Sequence, residues 1–201
     1  MQAFRYTLIN GELYYDEKGE VLVVVDNNLI SVMSGGKEIE NPMFHLSREE
    51  RVLLDRLKLM AEKTGLQVNP LWALAYPGKL RSLMLSKIMG SLFEDFVYEI
   101  LSKHFVVERH VKTFESLSKF TGERYHNTPD LIVEGKIAVE AKVSYYGFQQ
   151  LLEYSKRFPM GALVLPFSSQ CRVPHGWRHF SNFLADQKHS SHGLKGLYMV
   201  K

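Results

Sequence analysis

The chain has 201 residues, 45% apolar and 23% charged, which suits one domain or one domain with a sizeable extension and excludes a disordered chain. Lys and Arg number 25 against 22 Asp and Glu; the resulting +3 is too small to imply nucleic acid by itself and is compatible with it. The single cysteine, Cys171, excludes an internal disulfide and any cysteine-rich zinc or iron–sulphur site.

The first residues, MQAFRYTLINGELYYDEKGE, lack the apolar core of a signal peptide. The apolar run Val21 to Val25 is far too short to span a bilayer. The expectation is a cytoplasmic protein with no membrane partner.

Phe4–Ile9, Leu13–Tyr15, Val21–Asp26 and Leu29–Met33 are rich in β-formers and separated by Asn10-Gly11, Lys18-Gly19 and Asn27-Asn28, which predicts a small antiparallel meander. Ser34-Gly35-Gly36 breaks it. Ser47 reads as an N-cap with Glu49 and Glu50 in the first turn of a helix running to about Lys63, where Thr64-Gly65 stops it. Val52, Leu53, Leu57 and Met60 give that helix an apolar stripe. Residues 80–103 read as one long or broken helix with Leu92, Phe93, Phe96, Val97, Ile100 and Leu101 on one face.

Beyond it the pattern predicts strands at Phe105–Lys112, Asp130–Glu134, Lys136–Lys142 and Gly161–Leu165. A polar loop at 115–128 and a Glu134-Gly135 turn separate the first three, and a helix at about 146–157 precedes the last. A helix at about 175–187 and a strand at Gly196–Val200 complete the chain. The fold class expected is α/β, a mixed sheet with flanking helices in the order α-β-β-β-α-β, preceded by a β-rich extension over residues 1–78.

Thr128-Pro129-Asp130 and Glu140-Ala141-Lys142 carry the chemistry. Asp130 opens one strand, while Glu140 and Lys142 stand two apart near the end of the next and share a face. A tight turn at Glu134-Gly135 brings Asp130 and Glu140 side by side. Charged groups within apolar strands need compensation, and a divalent cation relieves the repulsion of two carboxylates. Oxygen ligands suit Mg²⁺ or Mn²⁺, which polarises a phosphate and lowers the pKa of an attacking water; a neighbouring lysine orients that water or stabilises developing charge.

Pro129-Asp130 followed by Glu140-Ala141-Lys142, in this element order, resembles the PD-(D/E)XK nuclease superfamily over about residues 88–166. The resemblance implies a restriction-endonuclease-like core at 79–201. It also implies a metal held by Asp130, Glu140 and the Ala141 carbonyl, and a catalytic Lys142. Glu94, in Gly90-Ser-Leu-Phe-Glu94, matches the acidic residue with which RecB-like members complete the metal site. Gln150-Leu-Leu-Glu-Tyr154 is similar to the Q-x-x-x-Y motif of the RecB-like and CRISPR-associated branch, whose two named residues share a helical face. The branch's iron–sulphur cysteines are absent, so that cluster is not expected.

Plainer roles stay open for each residue. Glu140 and Lys142 fit the solvated edge of an amphipathic strand, Asp95 is an alternative ligand to Glu94, Gln150 fits a surface site and Tyr154 a core one. His126 fits a solvated loop or a phosphate contact. His175 and His179 would share a face of the expected C-terminal helix, a weak metal or DNA signal; His189 and His192 lie beyond it. Lys79, Arg81, Lys87, Lys103, Arg109, Lys112, Lys119 and Arg124 surround the expected core, where some would track a phosphate backbone. Tyr145, Tyr146 and Phe148 follow Lys142 and fit either base stacking or core packing.

The function expected is hydrolysis of DNA phosphodiesters by a Mg²⁺- or Mn²⁺-dependent deoxyribonuclease. The alternatives are a structure-specific endonuclease of the junction-resolvase type on the same core, and a non-catalytic DNA-binding module. A homodimer would be the simplest way to cut both strands. A mobile-element, viral or repair setting is compatible with the small size.

Overall fold

A computed structural model of the protein describes residues 46–74, 78–109, 128–143 and 145–185, together with the backbone of five strands between residues 4 and 39. The chain divides into two compact units, Met1–Met89 and Gly90–Lys201. Among the described residues no helix is long and apolar enough to cross a membrane.

In the first unit, β1 (Phe4–Leu8), β2 (Gly11–Tyr15), β3 (Val21–Asp26), β4 (Leu29–Ser34) and β5 (Lys37–Ile39) pair antiparallel in sequence order. The meander therefore continues past Ser34-Gly35-Gly36, where Ser34 pairs with Lys37.

The helix α1 (Arg48–Thr64) begins in a reciprocal cap. Ser47 Oγ accepts from the Glu50 amide at 3.2 Å, and Glu50 Oε2 accepts from the Ser47 amide at 2.7 Å. It ends at Gly65 in the left-handed region, φ +71°. Its buried residues are Glu50, Leu54, Leu57 and Met60, while Val52 is 44% exposed, so the inward face is rotated from the expected stripe. Glu50 is the reason. Its Oε2 lies 3.4 Å from Nη1 of Arg81, whose Nε donates to the Leu74 carbonyl at 3.0 Å. A buried carboxylate that is both cap and ion-pair partner sits on the inner face at modest cost. Leu74 ends the short helix α2 (Leu71–Leu74), and Arg81 lies on α3 (Gly78–Ser102), an unbroken helix within which the division between the two units falls.

In the second unit, a five-stranded mixed sheet has the order β10-β9-β8-β7-β6. It comprises β6 (Val107–Arg109), β7 (Leu131–Val133), β8 (Ile137–Ala141), β9 (Met160–Val164) and β10 (Trp177–Phe180). The pairs β6–β7 and β7–β8 are antiparallel, whereas β8–β9 and β9–β10 are parallel. The helix α4 (Phe148–Arg157) supplies the crossover that parallel β8 and β9 require. Leu151, Tyr154 and Phe158 pack on Ile132, Ala138, Leu163, Leu165 and Trp177, burying one apolar face of the sheet under α4.

The β7–β8 turn closes with Lys136 N–H donating to the Val133 carbonyl at 3.0 Å, and both central residues are left-handed, Glu134 at φ +52° and Gly135 at +63°. A glutamate rarely adopts this conformation. Here its Oε1 accepts from the Val106 amide at 2.8 Å, offsetting the strain and tying β6 to the hairpin.

The expected helix at 175–187 is corrected. Residues 177–180 form the edge strand β10, and 183–185 form a turn. Gly176, at φ +80°, opposes a helix there, and Trp177 gains more by lying against Gly161 in the sheet. With no helix there, His175 and His179 share no helical face; His175 is in a turn and His179 on β10. The expected strand at 196–200, most of the 115–128 loop, Lys112, Lys119, Arg124, His126, His189 and His192 lie outside the described residues.

Candidate active site

The register of the β7–β8 hairpin decides the site. Leu131 faces Val139, so one step further Asp130 stands opposite Glu140. Here side chains take over from the ladder. The Asp130 amide donates to Glu140 Oε2 at 3.3 Å, and the Ala141 amide donates to Asp130 Oδ2 at 3.0 Å. Each carboxylate thus holds the other's strand, and both are almost fully buried, Asp130 at 4% exposure and Glu140 at 1%.

Lys142 reaches between them. Its Nζ donates to Asp130 Oδ2 at 3.2 Å and lies 2.7 Å from Glu140 Oε1. The second contact is a close charge pair whose angles fall outside hydrogen-bond geometry, which leaves Glu140 Oε1 a buried oxygen with no aligned donor. The ammonium occupies the place of a cation between the two carboxylates and offsets one of their negative charges.

The electrostatics follow from burial. Removal from water pushes the Glu140 carboxyl up to about 7, with Asp130 repulsion adding to it and Lys142 acting the other way. For Lys142, burial opposes the charge and is the largest single effect, yet Glu140 and Asp130 together outweigh it and hold the ammonium above its usual range. The basic partner is therefore fully charged at neutral pH, while Glu140 is poised near it.

Glu94 lies on α3, half-buried and engaged in contacts of its own. Among the described residues, Asp130 and Glu140 are the carboxylates joined to each other through backbone amides. Asp95, the neighbour of Glu94, forms an ion pair with Arg109, whose guanidinium also lies 5.5 Å from the Tyr98 ring centre. That pairing engages Asp95 in joining β6 to α3.

Gln150 and Tyr154 do act together. Gln150 Nε2 donates to the Tyr154 hydroxyl at 2.6 Å, which donates to the Thr128 carbonyl at 3.1 Å. Thr128 precedes Asp130 by two residues, so the pair fastens α4 to the approach of β7. Tyr154 is also core, stacked on Trp177 with ring centres 6.4 Å apart. Sequence reasoning missed the Thr128 carbonyl, because nothing local marks a backbone acceptor reached from 26 residues away.

Compared with family models, curated proteins and solved structures, the chain finds no match. The reading of the site rests on its own geometry.

Asp130 and Glu140 offer the hard oxygens that Mg²⁺ or Mn²⁺ prefers, two buried carboxylates whose charge one ammonium offsets only in part. The donor set fits such an ion. The Ala141 amide is committed to Asp130. A surface groove lined by Glu108, Lys136, Arg157 and Met160 lies at the hairpin end of β7 and β8, the opposite end from Asp130 and Lys142.

Proposed function

We propose that this protein is a metal-dependent nuclease that hydrolyses DNA phosphodiesters on a restriction-endonuclease-like core of the RecB-like branch of the PD-(D/E)XK superfamily. The observation that carries the reading is the buried Asp130–Glu140 pair with Lys142 Nζ 3.2 and 2.7 Å from its oxygens and Glu140 Oε1 lacking an aligned donor. Two buried carboxylates with one ammonium between them leave a net negative oxygen cluster that a divalent cation would neutralise.

Asp130, Glu140 and the Ala141 carbonyl would hold Mg²⁺ or Mn²⁺, with Glu94 completing the set. The ion, when bound, supplies Lewis acidity toward the phosphate and a more acidic water. Lys142, charged and displaced from between the carboxylates, would place its Nζ–H groups against the phosphate oxygens or the attacking water. Gln150 and Tyr154 would act by holding Thr128, and with it Asp130, in position.

A non-catalytic DNA-binding module is the second reading. It is favoured by Lys142, which already bridges the two carboxylates without a metal.

The deciding experiment is cleavage of linear and circular, single- and double-stranded DNA with Mg²⁺, Mn²⁺ or EDTA, beside Asp130→Ala and Lys142→Ala proteins shown to be folded. Metal-dependent cutting that both substitutions reduce by about a thousandfold or more is expected. A cut circle would establish endonuclease action, and flapped or four-way substrates would test the junction-resolvase form. Undiminished cutting by both variants overturns the assignment.

A further inference from the structure

The groove at the hairpin end of β7 and β8 measures about 590 Å³, within the roughly 300–1,000 Å³ of small-molecule sites. Its floor is apolar. Ile132 on β7 and Phe158, just past the end of α4, are both 7% exposed, and Met160 at the start of β9 continues it. Glu108 stands directly opposite Ile132 across the β6–β7 pair, so the two share a face and Glu108 forms one side of the groove. Two exposed cations complete the lining: Lys136, which follows the Glu134-Gly135 turn, and Arg157, the last residue of α4.

The walls are held by the backbone. The Lys136 amide closes the β7–β8 turn on the Val133 carbonyl at 3.0 Å. The Phe158 amide donates to the Tyr154 carbonyl at 2.7 Å, and the Phe158 carbonyl accepts from the Trp177 indole at 3.0 Å. Gly176 packs closely on Pro159, whose carbonyl oxygen would lie 2.3 Å from a Cβ there. The Arg157 guanidinium lies over the Phe158 ring, 5.4 Å from its centre. Among the described residues no ion pair engages Lys136, Arg157 or Glu108. A firm apolar floor is thus bordered by two cations and one carboxylate whose charges are open to a ligand.

Glu108 narrows the choice of ligand. Two cations ask for an anion, and the floor asks for an apolar body. A fatty acid would leave the carboxylate without a partner, and a polynucleotide would bring further phosphates against it. A ligand with one anionic end, a flat apolar body and neutral hydroxyl or amino donors satisfies all three parts. That is the make-up of a nucleoside monophosphate. We propose that this groove is a mononucleotide site. Lys136 and Arg157 hold the phosphate, Ile132 and Met160 support the base, and Glu108 accepts from a ribose hydroxyl or a base amino group. The site lies at the opposite end of β7 and β8 from Asp130 and Lys142, and it does not depend on the nuclease reading.

The test is isothermal titration calorimetry of the full chain in EDTA, with adenosine monophosphate, adenosine and inorganic phosphate as probes. The monophosphate is expected to bind more tightly than either part. Lys136→Ala and Arg157→Ala are each expected to weaken it about tenfold, the loss of one charged contact to phosphate. Both side chains are exposed, so these proteins are expected to fold as the wild type does. Glu108→Leu is expected to weaken the monophosphate severalfold by removing an acceptor. A plain anion site would instead bind more tightly on losing that negative charge, and this result overturns the proposal. So does phosphate binding as tightly as the monophosphate, or no binding of any probe. The Lys142→Ala protein separates the two ends of the sheet. Binding that survives there and falls in Lys136→Ala supports the groove, whether or not the protein cuts DNA. Binding lost in Lys142→Ala and kept in Lys136→Ala places the nucleotide at the Asp130 end and overturns the groove site.

Discussion

Lys142 Nζ lies 2.7 Å from Glu140 Oε1, in a position where Glu140 is 1% exposed. Glu140 lies in β8 and Lys142 just past its end, two residues apart, and so they emerge on one face. What turns this local pairing into a functional candidate is Asp130, brought opposite Glu140 by the hairpin register. Two buried carboxylates then share one ammonium, and the electrostatic strain that remains falls on Glu140.

That strain has a pH signature in the metal-free protein. The Glu140 carboxyl is raised from 4.5 to about 7 in the fold, chiefly by burial. A raised acid binds its proton more tightly folded than unfolded, so its contribution to stability is fully present below 4.5 and is lost as pH rises through about 7. At pH 8 the ionised group costs the native state about 3 kcal/mol relative to its protonated form. Glu140→Gln, neutral and nearly isosteric, is expected to match wild type in chemical denaturation near pH 4.5 in EDTA and to exceed it by about that amount at pH 8. A gap that does not change with pH would contradict the assignment of strain to Glu140.

Tyr154→Phe removes the hydroxyl that links Gln150 to the Thr128 carbonyl and leaves the ring in the core. The expected stability loss is about 1 kcal/mol. If the link positions Asp130, kcat for metal-dependent cleavage falls at least tenfold with KM little changed, and Tyr154→Leu adds a larger stability loss through packing. An unchanged kcat in a folded Tyr154→Phe protein would reduce the motif to a packing role.

Gly161 carries a third expectation. A Cβ placed there would come within 2.2 Å of the Trp177 ring, whose indole N–H donates to the Phe158 carbonyl at 3.0 Å. The ring is buried and stacked on Tyr154, so it has little room to give. Gly161→Ala is expected to destabilise the protein by about 1–3 kcal/mol through overpacking, seen as a lower denaturant midpoint with an unchanged slope. A stability equal to wild type would show that the β9–β10 region relaxes more freely than its packing implies.

Most local elements were legible in the chain because their signals are local. Ser47 with Glu50 is a cap set by three-residue spacing, Gly65 ends a helix through its own backbone freedom, and the strands β7 and β8 are apolar runs about a Glu-Gly turn. The inward face of α1 was less so, because Glu50 is buried by Arg81, a partner 31 residues away. The stretch after Pro174 was misread as a helix for the same kind of reason. Its strand exists by pairing with β9, and residues 177–180 alone carry no strict alternation that announces it.

The candidate site divides along the same line. From the sequence alone came the residue types, the two-residue spacing of Glu140 and Lys142 and the four-residue spacing of Gln150 and Tyr154, all consequences of strand and helix periodicity. Only the tertiary structure decided that Asp130 and Glu140 hold each other's backbone and that Tyr154 reaches Thr128. Periodicity determines which side chains of one element share a face; which groups meet across elements depends on register and burial, and these are set by the packed fold as a whole.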